Sequence, residues 1–370
     1  MKIAIRTDAS LYMGTGHLMR CLTLADEVRR EGHTVTFICR ELPGNLCELI
    51  EKKGYHVYRL PFQDKNRIQT VQDVSSWLGA TWREDAEQTI SVLQEISIAS
   101  KIDWLVVDHY ALDIQWERMM RPYVKRIMVI DDLANRPHDC DLLLDQNLYE
   151  NMEQRYMGLV PETCKLLLGP QYALLRPEFR EARKKLRPRD GVVRRILIFF
   201  GGTDPTNETL KAIEAVRLLN RYDIEVDVVV GANNPHRDLV KKKCEALPNF
   251  HYHCQVDNMA ELMVKADLAI GAGGSTTWER YCLGLPSILI AVASNQVFIS
   301  KSSARQNIDV FLGEASQVTV CDIKEAVEYF LNNTFDSLIH KKMTSIVDGQ
   351  GVSRVALVLL SGIRRQVCSQ

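Results

Sequence analysis

The sequence predicts an α/β chain built as two successive units, and three observations predict it. Short apolar runs recur along the chain, each followed by a polar turn and then by apolar residues at helical spacing. Two of those turns, around Gly14–Gly16 and Gly271–Gly274, set glycines between a strand and a helix start. Residues 178–195 separate the two series with dense charge, Pro188 and Gly191, and no sustained apolar face. At 370 residues, with 46% apolar and 25% charged content, the chain can bury two cores.

In the first series, residues 3–5 form a strand, and Asp8, Ser10, Gly14, Thr15 and Gly16 form a loop. Leu18, Cys21, Leu22, Ala25 and Val28 then fall on one helical face, which Gly32 ends. A second strand is expected at 35–39, a helix at 46–53, a short strand at 57–60 and a loop at 64–73. A helix at 82–98 precedes a buried strand at 104–107, which ends in Asp108-His109-Tyr110. Strands at 127–130 and 142–144 end in Asp131-Asp132 and Asp145-Gln146-Asn147. In an open parallel sheet, ligands gather beyond the carboxyl ends of the strands, which groups Asp8, His17, Asp108 and His109.

The charged segment 178–195 reads as a solvated hinge. The second series has strands at 196–200, 224–230, 250–253, 268–270 and 288–292, with helices at 209–219 and 259–265. A final helix is expected at 356–365.

Net charge is −1, which gives no reason to expect nucleic acid or an anionic membrane as partner. Ten cysteines lie scattered without a C-x-x-C pair and read as reduced thiols of a cytoplasmic protein. The first strand begins at once, so no leader is expected, and no apolar run approaches the ~20 residues of a membrane span. His251-x-His253 lacks a third ligand at metal-site spacing, and Asp139-Cys140-Asp141 is too short a pattern to argue from. No Walker A, zinc or G-x-S-x-G pattern occurs.

Two stretches carry chemistry. His17 stands on the first turn of a helix, where the positive dipole end favours the neutral ring, able to accept a proton. The same position suits a helix cap or a packed side chain. Gly14-x-Gly16 has Met19 where a third glycine belongs, and the second strand ends at Arg40 rather than an acid, which argues against a dinucleotide site. In the second unit, Gly271-Ala-Gly273-Gly274-Ser275-Thr276 can bring backbone N–H groups and hydroxyls to a diphosphate without metal or lysine. Glu279, one turn later, can take both hydroxyls of a ribose, and Asn295 and Gln296 end another strand on the same side. A turn chosen only for tight packing is the alternative, but four aligned features in nine residues favour phosphate binding.

The segments IRTDASLYMGTGHLMRCLTLA, VVDHYALD, IDDLANRPHDCDLLLDQN, FFGGTDPTN and GAGGSTTWERYCLGLPSI resemble the PseG family, the UDP-2,4-diacetamido-2,4,6-trideoxy-β-L-altropyranose hydrolases of pseudaminic acid synthesis. The resemblance runs from Lys2 to about residue 310 and is most specific around His17. The glycine–serine–glutamate segment is shared with MurG-like glycosyltransferases. The resemblance implies a GT-B architecture, two Rossmann-like domains facing across a cleft with the nucleotide mainly on the second. On that reading residues 1–180 are the first domain, 181–195 a linker and 196–350 the UDP-binding domain. Residues 351–370 would cross back to the first domain. The resemblance also implies hydrolysis to UDP and free sugar with anomeric inversion, no metal and no cofactor. His17 matches the base that activates water; Gly273, Gly274, Ser275 and Thr276 match the diphosphate loop, Glu279 the ribose acid, and Asn295 and Gln296 a polar pair near the phosphates and sugar. Gly14, Thr15 and Gly16 belong to the same motif, and Asp8, Asp108 and His109 are candidates for orienting His17 or the water. A glycosyltransferase of the same fold, or a non-catalytic sugar-nucleotide binding protein, are the rival readings.

Overall fold

The computed structural model describes residues 1–62, 74–98, 100–186, 189–333 and 337–361. The loop expected at 64–73 lies outside the described residues. The chain divides into two compact units. The first takes residues 1–147, 151–174 and 350–370; the second takes 148–150 and 175–349.

The first unit alternates strands and helices: β1 (Lys2–Thr7), α1 (Gly16–Arg30), β2 (Thr34–Arg40), α2 (Cys47–Lys52), β3 (His56–Leu60), α3 (Trp82–Ile96), β4 (Ile102–Asp108), α4 (Ile114–Met120), β5 (Val124–Ile130), β6 (Leu142–Asp145) and β7 (Lys165–Leu168). The strands form one parallel sheet in the order β3-β2-β1-β4-β5-β6-β7. Its strands are apolar on both faces because helices cover both. Strand order reverses between β1 and β4, which pair through Ile3–Trp104 and Thr7–Asp108. The loops leaving these two strands therefore open the crevice where such sheets bind ligands. Thr81 and Glu84 form a reciprocal capping box that starts α3. β7 and α4 went unread in the sequence, being four and seven residues long.

The second unit contains α5 (Pro177–Arg183), β8 (Arg195–Phe199), α6 (Glu208–Arg217), β9 (Glu225–Val230), α7 (Arg237–Glu245), β10 (Phe250–Cys254), α8 (Met259–Lys265), β11 (Leu268–Ala272), α9 (Thr276–Cys282), β12 (Ser287–Ala291), α10 (Ser294–Arg305), β13 (Val310–Glu314), α11 (Val320–Asn332) and α12 (Ser337–Ile346). Its parallel sheet runs β10-β9-β8-β11-β12-β13, so order reverses between β8 and β11.

The described residues of the charged segment, 178–186 and 189–195, lie in the second unit, and two of their arginines are anchors rather than free charges. Arg183 donates to the carbonyls of Cys282, Thr344 and Val347. Arg189 donates to those of Met263, Ala266, Leu283 and Gly284, at the C-terminal ends of α8 and α9. After Gly349 the chain returns to the first unit as α13 (Gly351–Ser361). Val352, Val355, Ala356 and Leu359 join the core that α1 covers, and Ser353 Oγ donates to Glu27 at 2.6 Å.

The expectation that no apolar run nears a membrane span needs one correction. The stretch Leu338–Ser361 has that length, and 18 consecutive residues within it reach a mean hydropathy of 1.2. Turn residues around Asp348–Gly349 divide it into α12 and α13, and the apolar side of α13 is core. The nine cysteines among the described residues are free thiols.

Candidate functional site

In the first unit, β1 ends at Thr7 and the chain makes a tight loop before α1. Ser10 and Gly14 bridge through Gly14 N–H to Ser10 O at 2.9 Å, while Ser10 Oγ accepts from the Met13 amide at 3.0 Å. Gly14 takes φ +77°, a conformation that favours glycine. Thr15 precedes α1 without a side-chain cap bond, so the first turn of the helix keeps its free N–H groups. Gly16 is exposed, and His17 sits one residue into the helix.

The His17 ring is buried, with 9% of its side-chain surface exposed. Nδ1 lies 2.6 Å from Asp108 Oδ1. Burial would raise the Asp108 carboxyl, but the charge of Arg20 and the hydrogen bonds from Arg20 and His17 outweigh it and hold it far below the usual range. An ionised carboxylate can only accept, so Nδ1 carries a hydrogen and Nε2 is the ring nitrogen turned away from Asp108. Nε2 makes no hydrogen bond among the described residues and is not among their buried unpaired atoms. Tyr110 packs edge-on to the ring with centroids 4.5 Å apart, and Trp77 stands 6.4 Å away. Among the residues expected around His17, Asp108 makes this contact.

Asp8 and His109 occupy a layer behind it. Asp8 Oδ1 accepts from the Arg40 amide at 2.6 Å and pairs with Arg6 at 2.7 Å. His109 Nδ1 accepts from the Ala111 amide at 3.1 Å, which places its hydrogen on Nε2, 3.5 Å from Asp8 Oδ2. Burial lowers His109 to about 4, so this ring is neutral near pH 7. Arg6 and Arg40 share Asp85, whose carboxyl they hold at about 2 against its burial. These groups brace the carboxyl ends of β1, β2 and β4.

Arg20 was not singled out in the sequence, and Tyr110 and Asp132 were placed at strand ends without a role. Arg20 is one turn beyond His17 and grips Asp108 with Nε on Oδ2 and Nη2 on Oδ1, each at 2.6 Å. Tyr110 donates to Asp132 Oδ1 at 2.5 Å. An arginine three residues from the histidine, on the face that carries Cys21 inward, was the available signal.

In the second unit the turn after β11 is shaped by close contacts. A Cβ on Gly271 would lie 2.3 Å from Phe199 O, and one on Gly273 would lie 2.0 Å from Ser300 Oγ. Packing thus requires both glycines. Gly274 is different: its Cβ would meet only Gln296 Nε2, at an ordinary 3.6 Å. Ser275 is exposed at the start of α9, and its hydroxyl makes no cap bond. Arg280 braces the turn from below, donating to Ala272 O at 3.0 Å, Thr277 Oγ1 at 3.1 Å and Thr276 Oγ1 at 3.3 Å. Glu279 is half-buried, burial pushes its carboxyl up, and Arg176 lies 3.6 Å from it. Arg176 carries no motif and was not read from the sequence. Asn295 and Gln296 open α10, and Gln296 Oε1 accepts from the Val292 amide at 3.1 Å. Gly273 and Gly274 therefore meet Gln296 at the carboxyl end of β11, beside the reversal of strand order, and Ser275, Thr276 and Glu279 follow at the start of α9. His251 and His253 lie elsewhere, on β10, paired with Glu225 and Asp227 of β9. Arg121 takes both Asp139 and Asp141.

Two parallel-sheet units of this kind define the GT-B class, and solved structures agree. MurG of Acinetobacter baumannii superposes with a TM-score of 0.64 over 98% of this chain and 99% of its own, at 12% identity. The spinosyn rhamnosyltransferase SpnG gives 0.66 over 98% and 100%, at 16% identity. Residues 196–309 match the glycosyltransferase family 28 C-terminal domain.

The resemblance to the PseG hydrolases is carried by relatives. The UDP-2,4-diacetamido-2,4,6-trideoxy-beta-L-altropyranose hydrolase of Campylobacter jejuni is 27% identical over 84% of this chain and 98% of its own. Spore coat polysaccharide biosynthesis protein SpsG of Bacillus subtilis is 25% identical over 75% and 81%. Protein MJ1062 of Methanocaldococcus jannaschii is 25% identical over 90% of this chain, which spans 62% of its length. Homologues of the chain thus include UDP-sugar hydrolases and glycosyltransferases, which are enzymes.

Proposed function

We propose that the chain hydrolyses a UDP-linked 2,4-diacetamido-2,4,6-trideoxy hexose to UDP and the free sugar. The anomeric centre inverts, no metal is needed, and the product serves synthesis of a nonulosonic acid of the pseudaminic type. The observation that carries the reading is the His17–Asp108 couple: a ring fixed with its Nδ1 hydrogen on a carboxylate would, when neutral, turn the Nε2 lone pair toward water. Water attacks the anomeric carbon as the C–O bond to the diphosphate breaks, and its proton goes to Nε2. Attack from the face opposite the leaving group gives inversion.

Gly273, Gly274, Ser275 and Thr276 would hold the leaving diphosphate through backbone donors and hydroxyls, where the developing charge needs stabilising. Glu279 would accept from the ribose hydroxyls, with Asn295 and Gln296 toward the phosphates and sugar. Gly14, Thr15 and Gly16 would place water and sugar at the His17 edge. The near full-length match to the Campylobacter jejuni hydrolase supports this substrate class. A glycosyl transfer reading is favoured by the family 28 match, which lies in the unit that both classes share.

A panel of UDP-amino sugars run in 18O water, with NMR and mass analysis of the products, tests the proposal. UDP release without acceptor, 18O in the free sugar and an inverted anomer are expected. Release of UDP only when an acceptor hydroxyl is supplied would replace hydrolysis with transfer.

A further inference from the structure

The carboxylate that holds His17 is shared with a cation. Arg20 closes both Asp108 oxygens at 2.6 Å, and its Nη2 stands 3.2 Å from His17 Nδ1. Nδ1–H and Nη2–H are both donors, so that last approach is not a hydrogen bond. The two groups converge on the same Oδ1. Asp108 is fully buried and Arg20 nearly so, and Arg20 Nη1 faces Asp132 Oδ2 at 3.9 Å. Asp132 is itself fixed by Tyr110 and by Asn147 Nδ2 at 2.8 Å.

A buried carboxylate acting alone would orient the imidazole and also stabilise its charged form, which has no lone pair to offer. The Arg20 fork separates these two effects. It leaves the Asp108–His17 hydrogen bond in place and adds a positive charge of equal size beside it, so the pair presents little net field to the ring. Asp132 adds a second carboxylate, which faces Arg20 Nη1, the guanidinium nitrogen outside the Asp108 fork. Tyr110 is kept neutral by burial, which raises its hydroxyl well above the ordinary value; His109 is neutral, Trp77 carries no charge, and Asp132 is turned to Arg20 and Tyr110.

We propose that Arg20 is a positioning residue that works through Asp108, fixing the carboxylate that sets the His17 tautomer while cancelling its charge, so that Nε2 is available as a base near neutral pH. This rests on the proposed role of His17 as the base.

The test is a pH titration of the His17 ring by 15N NMR on the full chain, with the pH profile of UDP release beside it. It compares the parent with Arg20→Gln, Arg20→Lys and Asp108→Asn. In Arg20→Gln the ring meets an uncancelled carboxylate, so its titration and the acid limb of the profile should rise by about one pH unit. The rate near neutrality should then fall roughly tenfold and return at alkaline pH. In Asp108→Asn both should move the other way, with a plateau lower by about a hundredfold. Arg20→Lys keeps the charge without the fork; its titration should stay with the parent's while the plateau falls. It also carries the test if Arg20→Gln does not fold.

A uniform loss of rate in Arg20→Gln with an unmoved titration would overturn the inference. So would an Arg20→Lys plateau equal to the parent's. If the titrations shift as stated but no variant, nor the parent, releases UDP, the reading of function fails and the electrostatic role of Arg20 stands.

Discussion

At the scale of single residues, the Gly-rich turn of the second unit gives a sharp contrast. Gly273→Ala sets a methyl against Ser300 Oγ, a buried hydroxyl without a partner, and Gly271→Ala sets one against the Phe199 carbonyl. Overpacking of this kind costs about 1–3 kcal/mol. Adding Ser300→Ala should recover most of the Gly273→Ala loss, because the hydroxyl is the clashing atom. No side-chain change can recover Gly271→Ala. Chemical denaturation of the singles and of the double variant checks this. Equal losses with and without Ser300→Ala would remove the contact from the account.

His109 gives the pH prediction at the same scale. Its folded value of about 4 lies below the ordinary 6.5, so the unfolded chain binds more protons between these values. The contribution is present above about pH 6.5 and is lost as pH falls toward 4, on the order of 3 kcal/mol in all. Urea midpoints taken across that window should fall with acidity in the parent, and His109→Gln should flatten the slope. An unchanged slope would mean another group carries it.

At the scale of elements, most strands could be read because buried parallel strands are unbroken apolar runs, and because glycines such as Gly32 and Gly54 end the helices before them. His17 and the 273–279 turn were legible for the same reason: glycines mark a strand-to-helix turn. What was not legible came from partners far apart in sequence. Arg20 and Asp108 are 88 residues apart, and only the β1–β4 pairing brings them together. Charge density also misled in the segment 178–195. A solvated arginine and one that closes helix ends look alike in sequence, yet Arg189 reaches four carbonyls. Hydrogen bonds from a charged donor are worth about 1.5–3 kcal/mol each when a partner is removed. Arg189→Met should therefore destabilise the second unit by at least about 2 kcal/mol while sparing the first. Hydrogen exchange of α8 and α9 would show it, and unchanged protection there would contradict it.

At the scale of the whole molecule, the chain closes its first core with α13. Removing residues 351–370 would uncover Val352, Val355 and Leu359, each nearly or fully buried against the α1 side of the core. At about 1.5–3 kcal/mol per side chain the loss is about 5 kcal/mol or more, comparable to the whole stability of an ordinary domain. A truncated chain should show an early thermal transition for the first unit and a nearly unchanged one for the second. A single transition at the parent's midpoint would rule that out.

The proposed function divides the labour: the first unit would supply the base and the second would hold UDP. The most direct measurement is single-turnover hydrolysis of the UDP-sugar by parent and His17→Ala, with UDP affinity measured on both. The account predicts unchanged UDP affinity and a rate lower by several powers of ten. A His17→Ala protein that turns over at the parent's rate would contradict it.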